Sequence, residues 1–430
     1  MNSGLVVLLH DVLLAICLVG AWLLIGGYAL LALGGYIYSL QVARGRGRES
    51  SKPTPEHWPG VSILVPAHNE EIVIGGTIES MLHLDYPPDR LEVIVVDDSS
   101  TDRTRQIVEH LMATDRRVKL VAIPQGSGGQ GKSHALNVGL RYAAHELIAV
   151  YDADNSPEAH SLRYLVSELL ADPRLAGVVG KVRTLNPTTN FLTRCISIEF
   201  VSFQWIVQAG RWFLLRLASL PGTNYVVRRR ALERGGGWDP RAIADDAELT
   251  VRLSQEGYHI KYVPDAVTWE PEPQDWGVWL RQRLRWARGG TYVVRKFFPR
   301  LYRLRRRKLL LEVLHLTAMY HFFFMVLIFS DLILATGLAG GVTIGAASAP
   351  LMALWGLAVA IFVLQMAVAL SLERENTPLN LLAAAVMYFT YCQVWLYVCA
   401  KAHYLDVVKQ ERLRWDKTVR VPRPTEQGTE

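Results

Sequence analysis

Leu147-Ile148-Ala149-Val150-Tyr151-Asp152-Ala153-Asp154 carries an apolar run straight into two carboxylates spaced i, i+2. A short apolar run of this kind predicts a strand buried on both faces. On an extended backbone, i and i+2 point to the same side. Asp152 and Asp154 are therefore expected together at the strand's carboxyl end, where open α/β sheets bind ligands. Two carboxylates on one side repel each other. A hard cation such as Mg²⁺ or Mn²⁺, itself bridging a diphosphate, relieves that repulsion. Asp is also common in solvated turns after strands. The stretch alone leaves both readings open.

Working outward, three more apolar runs precede it, at 61–66, 91–96 and 118–123, each followed by a helical pattern. Strands alternating with helices predict parallel βαβ units with right-handed crossovers. Three strand ends carry polar clusters: His68-Asn69-Glu70, Asp97-Asp98 and Asp152-Ala153-Asp154. Each alone is ordinary turn chemistry. A parallel sheet gathers all three on one edge, where a single nucleotide-sugar site would use them together. The glycine-rich loop 126–132 lacks Walker spacing and by itself reads as a mobile surface loop. Downstream, 220–227 is a small-residue turn entering a strand, and Asp245 and Asp246 open a helix through 255. An acidic first turn also follows from the helix dipole alone.

The 430 residues suffice for two or three domain-sized units, and half of them are hydrophobic. The apolar residues cluster toward both ends of the chain. The net charge of +6 comes with basic residues flanking the apolar blocks, which suits the inner membrane surface. No nucleic-acid module is visible, so nucleic acid is not an expected partner. The four cysteines show no ligand spacing. The first apolar block, 5–40, is too long for a signal peptide and lacks a basic start. It predicts one main span, about 12–38, or else two short ones. Arg44, Arg46 and Arg48 then place the next segment in the cytoplasm. Residues 276–294 interleave Arg with Trp and Leu, as a helix lying on a membrane surface does. A basic run at 300–308 precedes three further apolar blocks, at 309–338, 351–370 and 379–400. The tail from 401 is basic and polar, and its last residues are expected to be disordered. Three C-terminal spans leave this tail outside, against the positive-inside rule, unless one block is interfacial.

Several ordered motifs resemble those of the membrane-embedded family 2 glycosyltransferases, the synthases of cellulose, chitin, hyaluronan and poly-N-acetylglucosamine among them. Pro66-Ala67-His68-Asn69-Glu70 is similar to the family's first motif. Val96-Asp97-Asp98-Ser99-Ser100-Thr101-Asp102 is similar to its nucleotide-binding acidic motif, with Ser99 where Gly is usual. Gly131-Lys132-Ser133-His134-Ala135-Leu136-Asn137 resembles the lysine loop, and Asp152-Ala153-Asp154 the metal motif. The catalytic Thr-Glu-Asp stands here as Ala244-Asp245-Asp246, keeping the final Asp. Gln282-Arg283-Leu284-Arg285-Trp286 fits the Gln-any-any-Arg-Trp signature.

The resemblance implies a Rossmann-like GT-A α/β domain on the cytoplasmic face of an α-helical transmembrane region, in a multi-pass protein of the cell membrane. The expected organisation is a membrane segment at 1–41, a linker at 42–60, the GT-A domain at 61–275, an interfacial segment at 276–308, transmembrane helices at 309–400 and a tail at 401–430. It implies a UDP-sugar donor held by Asp98, Lys132, Asp152 and Arg285. It also implies Mg²⁺ or Mn²⁺ on Asp154, Asp246 as general base, and an acceptor sugar on Trp286 and Gln282. A polysaccharide is the first acceptor expected and a glycolipid the alternative. The bilayer is a partner, and accessory membrane or export subunits are compatible with it. A non-enzymatic membrane protein that keeps the fold is the third class, opposed by the intact Asp154 and Asp246.

Overall fold

The computed structural model of the chain describes residues 3–46, 57–299 and 348–411, with positions 310, 313, 314 and 317 between them. The expected span 309–338 apart from those four positions, the basic run 300–308, most of the linker and the tail beyond 411 lie outside the described residues. Helix α1 (Ser3–Arg46) is a single helix of 44 residues. It contains no proline, and nothing in it divides the apolar block into two short spans. Gly34 and Gly35 serve contact. A Cβ on Gly35 would lie 1.9 Å from the Trp205 carbonyl oxygen, and one on Gly210 would lie 2.2 Å from that of Leu31. Small residues on both sides let the two backbones touch.

The first half of the catalytic sheet follows the periodicity. Strand β1 (Val61–Ala67) leads through α2 (Ile74–Leu82) to β2 (Leu91–Asp98). Helix α3 (Thr104–Thr114), β3 (Val118–Ile123), α4 (Lys132–Tyr142) and β4 (Leu147–Val150) come next. These strands pair in parallel in the order β3-β2-β1-β4. All eight residues of β2 and all four of β4 are buried, which is why 93–96 and 147–150 are continuous apolar runs.

The second half departs from the all-parallel expectation. It contains β5 (Ser156–Pro157), α5 (Ser161–Ala171), β6 (Leu175–Thr184) and α6 (Phe191–Ser202). A π-helical stretch, Phe203–Ala209, joins α6 to α7 (Gly210–Leu215). Then follow β7 (Tyr225–Arg228), α8 (Arg229–Arg234), α9 (Asp245–Gln255), β8 (His259–Glu270) and α10 (Trp276–Phe297). The eight strands form one mixed sheet, β3-β2-β1-β4-β7-β6-β8-β5. Strand β7 runs antiparallel to both β4 and β6. Its first residue, Tyr225, pairs with Val150, the last of β4. The turn 220–224 thus enters the sheet at the ligand-binding edge, and a strand starting there can only run backwards. This is the GT-A arrangement, a Rossmann-like half joined to an antiparallel one.

Beyond the gap lie α11 (Ser348–Leu372), α12 (Pro378–Phe389) and α13 (Tyr391–His403). Helix α12 starts with Pro378 at its first turn and the Thr377 side chain accepting from the Asn380 N–H, a well-matched start signal. It stops at Thr390, whose backbone (φ −125°, ψ −83°) is non-helical. Among the described residues, Ala15–Gly45, Ala353–Leu372 and Pro378–Val408 are long and apolar enough to cross a membrane.

Candidate active site

The parallel strands deliver their polar clusters to one edge. After β1, Asn69 adopts a left-handed conformation (φ 56°). Its side-chain oxygen accepts from the Thr101 N–H (2.7 Å), and His68 Nδ1 lies 2.7 Å from the Asp98 carbonyl oxygen. These bonds tie the first two strand ends together. Ser99, standing where the resembling family has Gly, is also left-handed (φ 59°), the conformation that glycine adopts freely. Its hydroxyl donates to the carbonyls of Ile123 and Pro124 at 3.0 and 3.1 Å. The buried Asp98 carboxylate accepts from the Gly129 N–H at 3.0 Å. A Cβ on Gly128 would fall 2.0 Å from Ser99 Oγ and 2.9 Å from Asp98 Oδ1. The glycine-rich loop is largely exposed but is tied to the acidic motif at Gly128 and Gly129.

The third cluster is not extended. Strand β4 ends at Val150, and residues 151–155 turn, so backbone alternation is not what positions the two carboxylates. The turn is held by its neighbours. Ala153 C=O accepts from Thr77 Oγ1 (2.7 Å), and Asn155 Oδ1 accepts from Thr223 and Thr268 (3.0 and 3.1 Å). Asn155 Nδ2 donates to Glu270 (3.0 Å). Asp154 is buried and Asp152 is about a third exposed, its side chain at 32 %. Burial pushes Glu270 well above the usual carboxylate range, and Glu272, Asp154 and Asp152 push it further. Glu272 rises to about 7, chiefly by burial, against the pull of Arg283.

Lys132, at the start of α4, donates to Asp152 Oδ1 at 2.5 Å and to the Gly222 carbonyl at 2.7 Å. Burial works against its charge, but Asp152, Asp245 and Asp246 together hold its pKa above the ordinary value. Gly222 is left-handed (φ 87°), and a Cβ there would lie 3.3 Å from Asp246 Oδ2 and 3.5 Å from Lys132 Nζ. Asp246 Oδ1 accepts from the Ala247 N–H at 2.7 Å, leaving Oδ2 toward the Gly222 turn. Burial raises the Asp246 pKa, and Lys132 offsets part of that. Asp245 is more deeply buried, its Oδ2 has no hydrogen-bond partner, and burial pushes it to about 7.

The fourth group lies on α10. Gly289 brings this helix against the α9 start, since a Cβ there would sit 2.9 Å from Ala244 N. Gln282, Arg285 and Trp286 are half-buried, and the Gln282 side-chain oxygen has no hydrogen-bond partner. Arg283, to which the sequence assigns no role, is fully buried, its guanidinium lying 3.9 Å over the Trp286 ring and donating to Glu199 at 2.7 Å. Tyr391 also donates to Glu199. Trp286 stacks on Phe200, with centroids 6.5 Å apart at 22°. Glu199 carried one signal, a lone acid in the apolar run 195–203.

A family described as glycosyltransferase-like family 2 matches residues 59–289, more than half of the chain. The chain belongs to the family 2 glycosyltransferases. A probable glycosyltransferase of Bacillus subtilis (strain 168), YdaM, is 40 % identical over 93 % of this chain and 95 % of its own. A β-monoglucosyldiacylglycerol synthase of Synechocystis is 34 % identical, covering 62 % of this chain and 56 % of that one. A poly-β-1,6-N-acetyl-D-glucosamine synthase of Staphylococcus epidermidis is 29 % identical, covering 59 % and 60 %. The solved mannosyltransferase PcManGT from Pyrobaculum calidifontis, in complex with GDP-Man and Mn²⁺, aligns with TM-score 0.54 at 25 % identity. It covers 85 % of this chain and 99 % of its own.

Among the described residues of this glycosyltransferase, no three His, Cys, Asp or Glu side chains form a metal cage. Mg²⁺ and Mn²⁺ in general take few protein carboxylates and complete their shell with substrate phosphates and water. Asp152 and Asp154, in the turn after β4, carry oxygen of the hard kind that such an ion takes.

Proposed function

We propose that this glycosyltransferase moves a sugar from UDP-N-acetylglucosamine or UDP-glucose to the growing end of a β-linked polysaccharide, by one inverting displacement. The observation that carries the reading is the meeting of Lys132, Asp152 and Asp246 at the Gly222 turn. Asp98 and Asp152 accept hydrogen bonds from uracil and ribose. Lys132 and Arg285 balance the diphosphate charge. Asp154 would hold Mg²⁺ or Mn²⁺, which when bound neutralises charge developing on the departing UDP. Asp246 takes the proton of the attacking hydroxyl. The acceptor oxygen bonds the anomeric carbon as the bond from that carbon to the UDP oxygen breaks, turning an α-linked donor into a β-linkage. Trp286, backed by Arg283 and Phe200, offers its ring to the acceptor sugar, with Gln282 beside it.

The membrane helices then serve the product. A polysaccharide carries hydroxyls that hydrocarbon cannot satisfy, so a protein-lined path from Trp286 outward is the expected route. A lipid acceptor is the second reading, favoured by the same aromatic group. Arg283 also lies 5.7 Å from Trp395 on the apolar α13, so the acceptor side of the site borders a candidate membrane helix.

The test is turnover of the purified, bilayer-embedded enzyme with a panel of UDP-sugars, followed by product sizing. Polymer supports the first reading, and a glycolipid as the sole product overturns it in favour of the second. EDTA should abolish turnover reversibly, and Asp154→Asn irreversibly with the fold retained. Full activity in excess chelator would remove the metal from the mechanism.

A further inference from the structure

Arg283 of α10 is completely buried. Four aromatic rings surround its guanidinium: Trp286 at 3.9 Å, Trp279 at 5.6 Å, and Phe200 and Trp395 at 5.7 Å each. Its Nη2 donates to Glu199 of α6 at 2.7 Å and to the Tyr391 hydroxyl of α13 at 3.4 Å. Nε and Nη1 make no hydrogen bond. Taking a guanidinium and a carboxylate out of water costs free energy, and well-packed apolar side chains in their place are often at least as stable. Fold stability alone therefore does not account for this pair.

Tyr391 fixes the guanidinium from outside α10. Its hydroxyl donates to Glu199, accepts from the Trp279 indole N–H at 3.1 Å and accepts from Arg283. That uses the one donor and both lone pairs of a phenol. The Tyr391 ring packs on Trp279, with centroids 5.0 Å apart. Tyr391 is the first residue of α13, directly after the Thr390 break that ends α12. Before the break, Tyr388 packs on Phe362 and Trp355 of α11, with centroids 5.4 and 6.3 Å apart. Tyr391 thus belongs to the apolar helices of the C-terminal region. Glu199 belongs to α6, which follows β6 of the catalytic sheet.

Trp286, three residues along α10 from Arg283, is the ring offered to the acceptor sugar. On that reading, we propose that Glu199 and Tyr391 are positioning residues that act on Trp286 through Arg283. They pin the guanidinium, and the guanidinium sets the plane of the indole. A half-buried Trp side chain has two torsions about which it can turn. A planar cation lying flat on the ring removes that freedom, and an ammonium does not match the shape. Arg283 is itself a long, flexible side chain whose ordering costs entropy, so it needs anchors beyond its own helix. One anchor comes from the catalytic domain and one from the apolar helices. The acceptor side of the site is therefore complete only with α13 docked against α6 and α10. Neither anchor hydrogen-bonds to Lys132, Asp152 or Asp246, so the donor side is not expected to feel their loss.

The nearly isosteric Tyr391→Phe and Glu199→Gln test this in the full-length, bilayer-embedded enzyme, with the UDP-sugar that the wild type turns over fastest. The readout is sugar transferred to product relative to sugar released by water, with the donor KM alongside. Trp286→Ala is the reference and should lower the ratio. Tyr391→Phe should lower it about threefold to tenfold, the worth of one hydrogen bond, and Glu199→Gln about tenfold or more, because its bond is to a charged group. Donor KM and the hydrolysis rate should stay as in the wild type. Glu199→Gln also leaves Arg283 without its counter-charge and should lower Tm. The double variant Glu199→Gln/Arg283→Met removes both charges and should recover Tm but not the ratio. Recovery of both would mean ordinary packing and would overturn the proposal. Wild-type ratios in Tyr391→Phe and Glu199→Gln, beside a lowered ratio in Trp286→Ala, would overturn it too and leave the acceptor role of Trp286 standing. An unchanged ratio in Trp286→Ala would remove that acceptor role, and the positioning role with it.

Discussion

Lys132 lies among Asp152, Asp245 and Asp246, and its charge holds down the pKa of the latter two. A base raised by burial and partly restrained by a lysine titrates above its ordinary value. kcat/KM should therefore rise with pH along an acid limb displaced upward, and Lys132→Met should move that limb further up while lowering the rate. An unmoved limb would separate Lys132 from the base. Asp246→Asn should cut kcat by about 10²-fold or more with UDP binding near normal, and Asp245→Asn should be milder. The two also differ in stability. Asp245 has a folded value near 7 against an ordinary 3.8, so the folded form binds the proton more tightly. Its stabilising contribution is complete below the ordinary value and is lost as pH rises through about 7. Asp245→Asn should thus gain Tm over the wild type as pH goes from 5 to 8. A gain that shrinks over that range would mean that folding favours the charged carboxylate instead.

At the scale of elements, the site depends on how α10 meets the start of α9. Gly289 is the contact point, and an added methyl meets Ala244 backbone and Cβ at 2.9 and 2.7 Å. Gly289→Ala should push α10 outward, costing about 1–3 kcal/mol as overpacking does. Acceptor transfer should fall more than UDP-sugar hydrolysis by water, because Trp286 moves with α10 whereas Asp98 and Lys132 do not. Equal losses in both reactions would point to general destabilisation. Trp286→Ala should show the same split with the fold unaltered, and Trp286→Phe should recover part of the transfer. This junction also marks where sequence reading stops. The strands at 61–66, 91–96, 118–123 and 147–150 were legible as short runs dominated by apolar residues, unbroken only at 147–150, where both faces are buried. The acidic motifs were legible because strand ends collect them. Strand β7 reversed the expectation because its direction is set by where the 220–224 turn enters the sheet, which no local pattern records. Arg283 escaped because its partners, Glu199 and Tyr391, are 84 and 108 residues away in sequence, and a charge is read locally as solvated until its partners are known.

At the scale of the molecule, helix α1 ties an apolar helix to the GT-A domain in one continuous element among the described residues. Helix α1 has 44 residues in one piece, about 66 Å at 1.5 Å per residue. Its upper portion packs on α11, where Cys17, Leu18 and Trp22 cluster with Trp355. Its lower portion grips the catalytic domain through Gly34 and Gly35, and through Tyr38 donating to the Tyr262 carbonyl at 2.8 Å. Such a strut fixes azimuth as well as height. One alanine inserted between Gly26 and Gly27 would leave both grips chemically intact yet twist one against the other by about 100°. Donor hydrolysis should survive that twist while acceptor extension collapses. Four inserted alanines, close to one full turn, should restore much of the extension. If the single and the fourfold insertion behave alike, the strut carries no phase information.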